Sequence, residues 1–372
     1  MRANLQTSSA LRIEGPIMLD LESAKGRNIA QTIEDFMTLD LTGVGLIGKI
    51  YQALQARQPG PACMAGAKII CDRVREHRGP VIIATGFPEG AGVPETDGPV
   101  GAALLARAVF LGLGVETIIL TDNDWVEMTI GTCRGAGLAP LPFPDDGIIK
   151  PVDFVRPVYI RAVPKNATGC QTITDALLDI TRPSLVIAIE RPGRNDRGLY
   201  HGLGGRPLDG MVADLDQFFL RAKAEKIPFL AIGDGGNELG MGVIGEELKS
   251  FSPKAKDSGH PGRGGVAAAT AADHLIVSNV SNWGATGLIA ALSALLEKPS
   301  IFHDGDLERR CIEQCVSFGG VDGMFMGPEP AVDGIAAAEW AGLVTTFRNT
   351  LERLAGRVIG WKGDSGDWRQ LK

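Results

Sequence analysis

The sequence predicts an α/β fold: a mainly parallel sheet with helices on both faces and a site at the C-terminal edge of its strands. Three observations carry this. Short apolar, β-branched runs alternate with helix-length segments, the βαβ order that produces parallel sheets. The runs are apolar throughout, as strands are when helices cover both faces. Most are followed by loops of glycine with Asp, Glu, Asn or Arg, and in open parallel sheets the carboxyl ends of the strands are where ligands bind.

In chain order the expected strands are 81–85 (VIIAT), 116–121, 155–160, 185–190, 228–232 and 274–278. The helices between and around them are 64–76, 101–113, 172–179, 214–225 and 286–296. Cys311 and Cys315 stand four apart on a further helix. The stretch 275–296 has no formal charge and the length of a membrane span, but Ser278, Asn279, Ser281, Asn282 and Gly284 fill its first half. It reads as a strand, a polar turn and a helix. Residues 250–265 (SFSPKAKDSGHPGRGG) read as a flexible loop or lid, and 360–372 as a tail. No repeat or linker divides the 372 residues, so a single large α/β domain, 1–372, is expected.

Composition narrows the function. Glycine is the outlier, 49 of 372 or about 13% against a usual ~7%, and it clusters at turns. The formal charge of −7 and the absence of a basic stripe exclude nucleic acid and anionic membranes as expected partners. Six cysteines without a CxxC pair read as reduced, buried thiols. With no apolar signal segment in MRANLQTSSALRIEGP, a cytoplasmic location is expected. GVGLIG (43–48) and GMGVIG (240–245) fit GxGxxG, but neither follows a clear first strand in a tight turn, so no nucleotide cofactor is expected. GxSxG and HExxH are absent, and the five histidines are scattered.

The strand-end loops hold the candidate residues. GDGGNELGMG (233–242) places Asp234, Asn237 and Glu238 within five residues among glycines. Two acids and an amide there suit a hard divalent cation (Mg²⁺, Mn²⁺ or Ca²⁺), an ammonium group or acid–base chemistry. The same residues also suit a helix start capped by Asn237. ETDGPVG (95–101) supplies Glu95 and Asp97, as ligands or, with Thr96 or Asp97, as a cap for the next helix. ERPGRNDRG (190–198) supplies Glu190 at the end of an apolar strand, with Arg191 and Arg194 as forks for carboxylate or phosphate. Asp97, Asp234 and Glu238 are the expected metal ligands, and Glu190, Asp234 and Glu238 the expected catalytic acids. Thr85, Glu95, Arg191, Arg194, Asn237 and Asn282 are the expected substrate-binding residues.

TGFPEGAGVPETDGPVGA, IERPGR, GDGGNELGMG and VSNWGATG, in this order, resemble the D-glutamate cyclase C-terminal-domain family from about Leu39 to Ala341. In eukaryotic relatives the domain follows an N-terminal hydro-lyase-like domain; this sequence reads as a stand-alone, bacterial-type member. The resemblance implies a lyase that converts D-glutamate to 5-oxo-D-proline and water. It implies Glu190 or Asp234 as the base, Arg191 or Arg194 on the α-carboxylate, and Asn237 and Asn282 on the remaining oxygens. Two alternatives stay open: a divalent-metal-dependent phosphohydrolase using the same acids, and a non-catalytic sensor of an acidic metabolite. The expected partner is a small acidic metabolite, with a homo-oligomer left open.

Overall fold

The computed structural model describes residues 19–356, apart from 91, 145, 146, 148 and 150–154. The expected tail at 360–372 lies outside the described residues. The strands are β1 (Val81–Thr85), β2 (Pro88–Glu89), β3 (Val93–Pro94), β4 (Thr117–Asp122), β5 (Ala139–Pro142), β6 (Pro157–Val163), β7 (Leu185–Ile189), β8 (Phe229–Gly233), β9 (His274–Val277), β10 (Ala331–Val332) and β11 (Ile335–Ala336). The helices are α1 (Ala24–Met37), α2 (Ile47–Arg57), α3 (Ala62–His77), α4 (Pro99–Leu113), α5 (Val126–Gly135), α6 (Ala167–Thr181), α7 (Asp216–Ala224), α8 (Gly245–Phe251), α9 (Pro253–Lys256), α10 (Ser281–Leu295), α11 (Gly305–Ser317) and α12 (Ala337–Leu354).

Seven strands form one parallel sheet in the order β5-β6-β4-β1-β7-β8-β9. The central strands are buried along their whole length, which accounts for their unbroken apolar runs. β5 carries Pro140 and Pro142, which cannot donate to a ladder and suit only its edge position.

The connections set the layers. β1–α4–β4 and β4–α5–β5 step toward one edge of the sheet; β6–α6–β7 and β7–α7–β8 step toward the other. Right-handed crossovers in opposite directions place α4 and α5 on one face and α6 and α7 on the other. The packing agrees: α4 rests on α5 and α10, while α6 rests on α7. α4 and α10 are buried on nearly every side, because α3, α5 and the outer helices α1, α11 and α12 cover them. Phe36, Trp283, Phe302, Trp340 and Phe347 join α1, α10 and α12 in one aromatic cluster. Side chains supply the N-caps of the peripheral helices: Ser23 for α1, Asn166 for α6 and Asp304 for α11.

β1 and β7 are neighbours whose chains leave in opposite directions, toward β4 and β8. A crevice therefore opens at their carboxyl ends, the position where open α/β sheets bind ligands. Among the described residues no helix is long and apolar enough to cross a membrane; 275–296 is β9, a turn and α10. The segment 250–265 contains the end of α8, α9 and turns, with Asn195 donating to the carbonyls of Arg263 and Gly265. It contributes no residue to the cleft described next.

Candidate active site: an acid-lined cleft at the switch point

Seven carboxylates face one cleft of about 250 Å³: Glu89, Glu95, Asp97, Glu190, Asp234, Glu238 and Asp333. No Lys, Arg or His is among the described residues that line it. The cleft is built from loops after β1, β7 and β8, closed by two short hairpins.

Glu190 follows β7 directly and holds φ at +41°, a left-handed conformation unfavourable for a side chain of its kind. Its Oε2 accepts a 2.6 Å hydrogen bond from Ser281 Oγ. Gly98, at φ +94°, lies against it. A Cβ at that position would stand 2.7 Å from both Glu190 Cβ and Thr85 Oγ1, so only glycine fits. Thr85 is buried below this contact with its Oγ1 unpartnered.

Asp97 and Asn282 exchange caps. Asp97 accepts from the N–H groups of Ser281 (2.9 Å) and Asn282 (2.7 Å), the first turn of α10, and from Gly98 N (3.0 Å). Asn282 Oδ1 accepts from Gly98 N (2.8 Å) and Gly101 N (2.7 Å) at the start of α4, and its Nδ2 donates to Thr96 O (3.0 Å). Asp97 thus caps α10, a helix distant in sequence; the expectation that Thr96 or Asp97 caps the following helix is corrected. The positive ends of two helices converge on the acids.

The GDGGNELGMG loop starts no α-helix at Asn237. Glu238 instead folds back, accepting from Gly235 N (2.9 Å) and Gly236 N (2.7 Å). Asn237 Nδ2 donates to His201 O (3.1 Å), and its buried Oδ1 has no partner. Asp234 is half-buried at the cleft wall and makes no hydrogen bond or ion pair among the described residues.

Asp333 arrives from the β10–β11 hairpin, at φ +49°. Asp322 fixes that hairpin by accepting from Gly334 N (2.9 Å) and Met324 N (2.9 Å), and Thr96 Oγ1 donates to Ala331 O (2.8 Å). The β2–β3 hairpin brings in Glu89, whose carboxylate lies 3.5 Å from Arg206.

Burial, reinforced by neighbouring negative charge, pushes Glu95, Glu190, Asp234 and Asp333 well above the ordinary carboxylate range. Burial also lifts Asp97 to about 7, against three backbone donors that favour its charged form. A carboxyl group raised to near neutral, as that of Asp97 is, can take a proton from one atom and deliver it to another.

Two triads of carboxylates emerge, each with one oxygen per residue within 4.8 Å of the others: Asp97–Asp234–Asp333 and Glu190–Asp234–Glu238. All-oxygen sets of this kind suit Mg²⁺, Mn²⁺ or Ca²⁺. The expected ligands Asp97, Asp234 and Glu238 are all present, divided between two triads that Asp333 and Glu190 complete.

The arginines are elsewhere. Arg191 is fully buried, paired with Asp122, donating to Ala213 O (2.6 Å) and stacked by Trp125. Arg194 pairs with Asp214 and lies over Tyr200. Neither lines the cleft; both brace the 191–216 region. Asn282 and Thr85 support the cleft from behind. Glu89 and Asp333 were missed; a Val-Asp-Gly-Ile turn signals a hairpin, but nothing local places it at the sheet edge.

The fold and site together define an α/β protein with an acid-lined ligand cleft at the switch point of a parallel sheet. Residues 33–348 match the family model described as "D-glutamate cyclase-like, C-terminal", and the chain belongs to that family. It is also similar to "D-glutamate cyclase, mitochondrial" of Homo sapiens, 31% identical over 229 residues that cover 59% of this chain and 33% of that protein. The chain therefore matches about a third of that relative's length.

Proposed function

We propose that this chain is a lyase that converts D-glutamate to 5-oxo-D-proline and water. The observation that carries the reading is the cleft: family membership joined to a cluster of carboxylates, Glu190 and Asp234 among them, at the switch point. In the reaction the α-nitrogen bonds to the carbon of the γ-carboxyl group and one oxygen of that carboxyl departs. The ammonium loses two protons and the departing oxygen gains two, so no net acid or base is consumed. Neighbouring carboxyl groups meet this demand: an ionised one accepts from nitrogen while a protonated one donates to oxygen. The acid lining also attracts the ammonium group, and a cleft of about 250 Å³ can hold the folded substrate in its cyclising conformer.

The substrate's two carboxylates need positive charge that the lining side chains do not provide. A divalent cation held by the carboxylate triads would supply it and polarise the γ-carboxyl. Asp97, fixed by three backbone donors, and Glu238, fixed by two, hold their oxygens in place for that purpose. The phosphohydrolase alternative loses its phosphate clamp, since Arg191 and Arg194 are engaged away from the cleft.

Purified chain incubated with D-glutamate, L-glutamate and a panel of phosphate esters, each with and without Mn²⁺, tests the proposal. Chiral chromatography should find 5-oxo-D-proline from D-glutamate, fastest with Mn²⁺. Phosphate release with no cyclisation of either glutamate would reverse it.

A further inference from the structure

We propose that the cleft is a two-cation centre, with one divalent ion held by Asp97, Asp234 and Asp333, a second by Glu190, Asp234 and Glu238, and Asp234 shared between them. The inference deepens the metal reading of the same cleft but rests on its geometry, not on the lyase reaction.

The two triads are distinct in origin. One joins the loop after β1 to the β10–β11 hairpin; the other joins the loops after β7 and β8. Asp234 belongs to both and, like Asp333, makes no hydrogen bond among the described residues, so both its oxygens are available to ligate. Among the described residues Glu95, Asp97, Glu190, Asp234, Glu238 and Asp333 form no ion pair with Lys, Arg or His. One dication in either triad would leave the other triad's remaining two carboxylates uncompensated beside it. Two ions bring charge to both groups at once.

An independent group points to the same place. Asn237 is 2% exposed, lines the cleft, and its Oδ1 has no partner. A Cβ on Gly235 would stand 2.9 Å from Glu238 Oε1 and 3.0 Å from Asn237 Oδ1, so amide and carboxylate oxygens face a common point. A buried amide oxygen is costly when unpaired, and a hard cation is the partner it lacks. The backbone N–H groups on Asp97 and Glu238 act as outer-shell donors: they orient ligand oxygens without cancelling their charge.

The test counts ions on the full chain without substrate. Chelator-stripped protein is titrated with Mn²⁺, with bound ion followed by calorimetry and free ion by electron paramagnetic resonance. Two Mn²⁺ per chain are expected, with a spin-coupled spectrum in place of isolated six-line signals. Asp333→Asn and Glu190→Gln should each bind one, and Asp234→Asn should weaken both sites at least tenfold. Asparagine tolerates the left-handed backbone of Asp333, so that variant keeps its turn. One ion or none on folded wild-type chain, two ions on both single-triad variants, or loss of both ions in folded Asp333→Asn would overturn the proposal. Should a variant fail to fold, the wild-type count and spectrum decide it: uncoupled signals at two ions per chain would exclude a shared Asp234. D-glutamate is absent throughout, so failure of the lyase reading leaves these outcomes unchanged.

Discussion

Asp234 sits in both triads and makes no hydrogen bond or ion pair among the described residues, so replacing it removes charge and little else. Asp234→Asn should lower D-glutamate turnover by roughly 10²–10⁴-fold, the range of lost acid–base catalysis. The metal-free variant should melt no lower than wild type, because a half-buried carboxylate repelled by its neighbours has been neutralised. Steady-state rates and thermal melts check both; unchanged turnover in the folded variant would remove Asp234 from the chemistry. Arg191 should behave in the opposite way. Arg191→Met leaves Asp122 buried without its partner and should cost about 3–5 kcal/mol, read by urea denaturation. Glu190 and Asp234 were legible in the sequence because each directly follows an apolar strand whose end is fixed by the sheet, and Glu238 because it lies in the glycine-rich loop after one. Arg191 was misread because position after a strand shows nearness to the edge, not direction: Glu190 turns into the cleft and Arg191 turns to Asp122. Asp333 was illegible because its hairpin is tied to the site by residues distant in sequence, Thr96 and Asp322 among them.

Helix boundaries near the site depend on partners far along the chain. The sequence places the start of α10 at 286, yet the helix begins at Ser281, because its cap is Asp97, 185 residues from Asn282. A polar SNVSN stretch reads as a turn until that distant carboxylate is known. The prolines of β5 hid a strand in the same way, since their tolerance depends on its being an edge. The buried strands needed no such context and were read to within a residue at each end, except β6, expected at 155–160 and observed at Pro157–Val163. Asn282→Ala should expose the dependence between helices. Gly98 and Gly101 N–H would lose their side-chain acceptor, costing about 1–3 kcal/mol by chemical denaturation. Turnover should also fall, because Thr96 and Gly98, which flank Asp97, lose the side-chain contacts that seat their loop against Glu190.

Stability of the whole molecule should depend on pH through acids outside the cleft as well. Glu34 of α1 is buried, accepts from Cys63 N (2.8 Å) at the start of α3, and is raised above its ordinary 4.5, chiefly by burial. The folded state therefore keeps this proton to higher pH than the unfolded chain does. Stability is unaffected below about 4.5 and falls as pH rises through the folded value. Glu34→Gln keeps an acceptor for Cys63 N and should flatten the decline; melting curves of both proteins from pH 4 to 8 give the difference. The exchange of caps between Asp97 and Asn282 has a consequence for motion. Neither helix start can open without releasing the other, so α4 and α10 fray as one event. Amide hydrogen exchange should find Gly98, Gly101, Ser281 and Asn282 opening with a common free energy, although they lie on separate segments of the chain. The two strand-end loops that carry Asp97 and Asn282 would then gain or lose order together, and a ligand that steadies one steadies both.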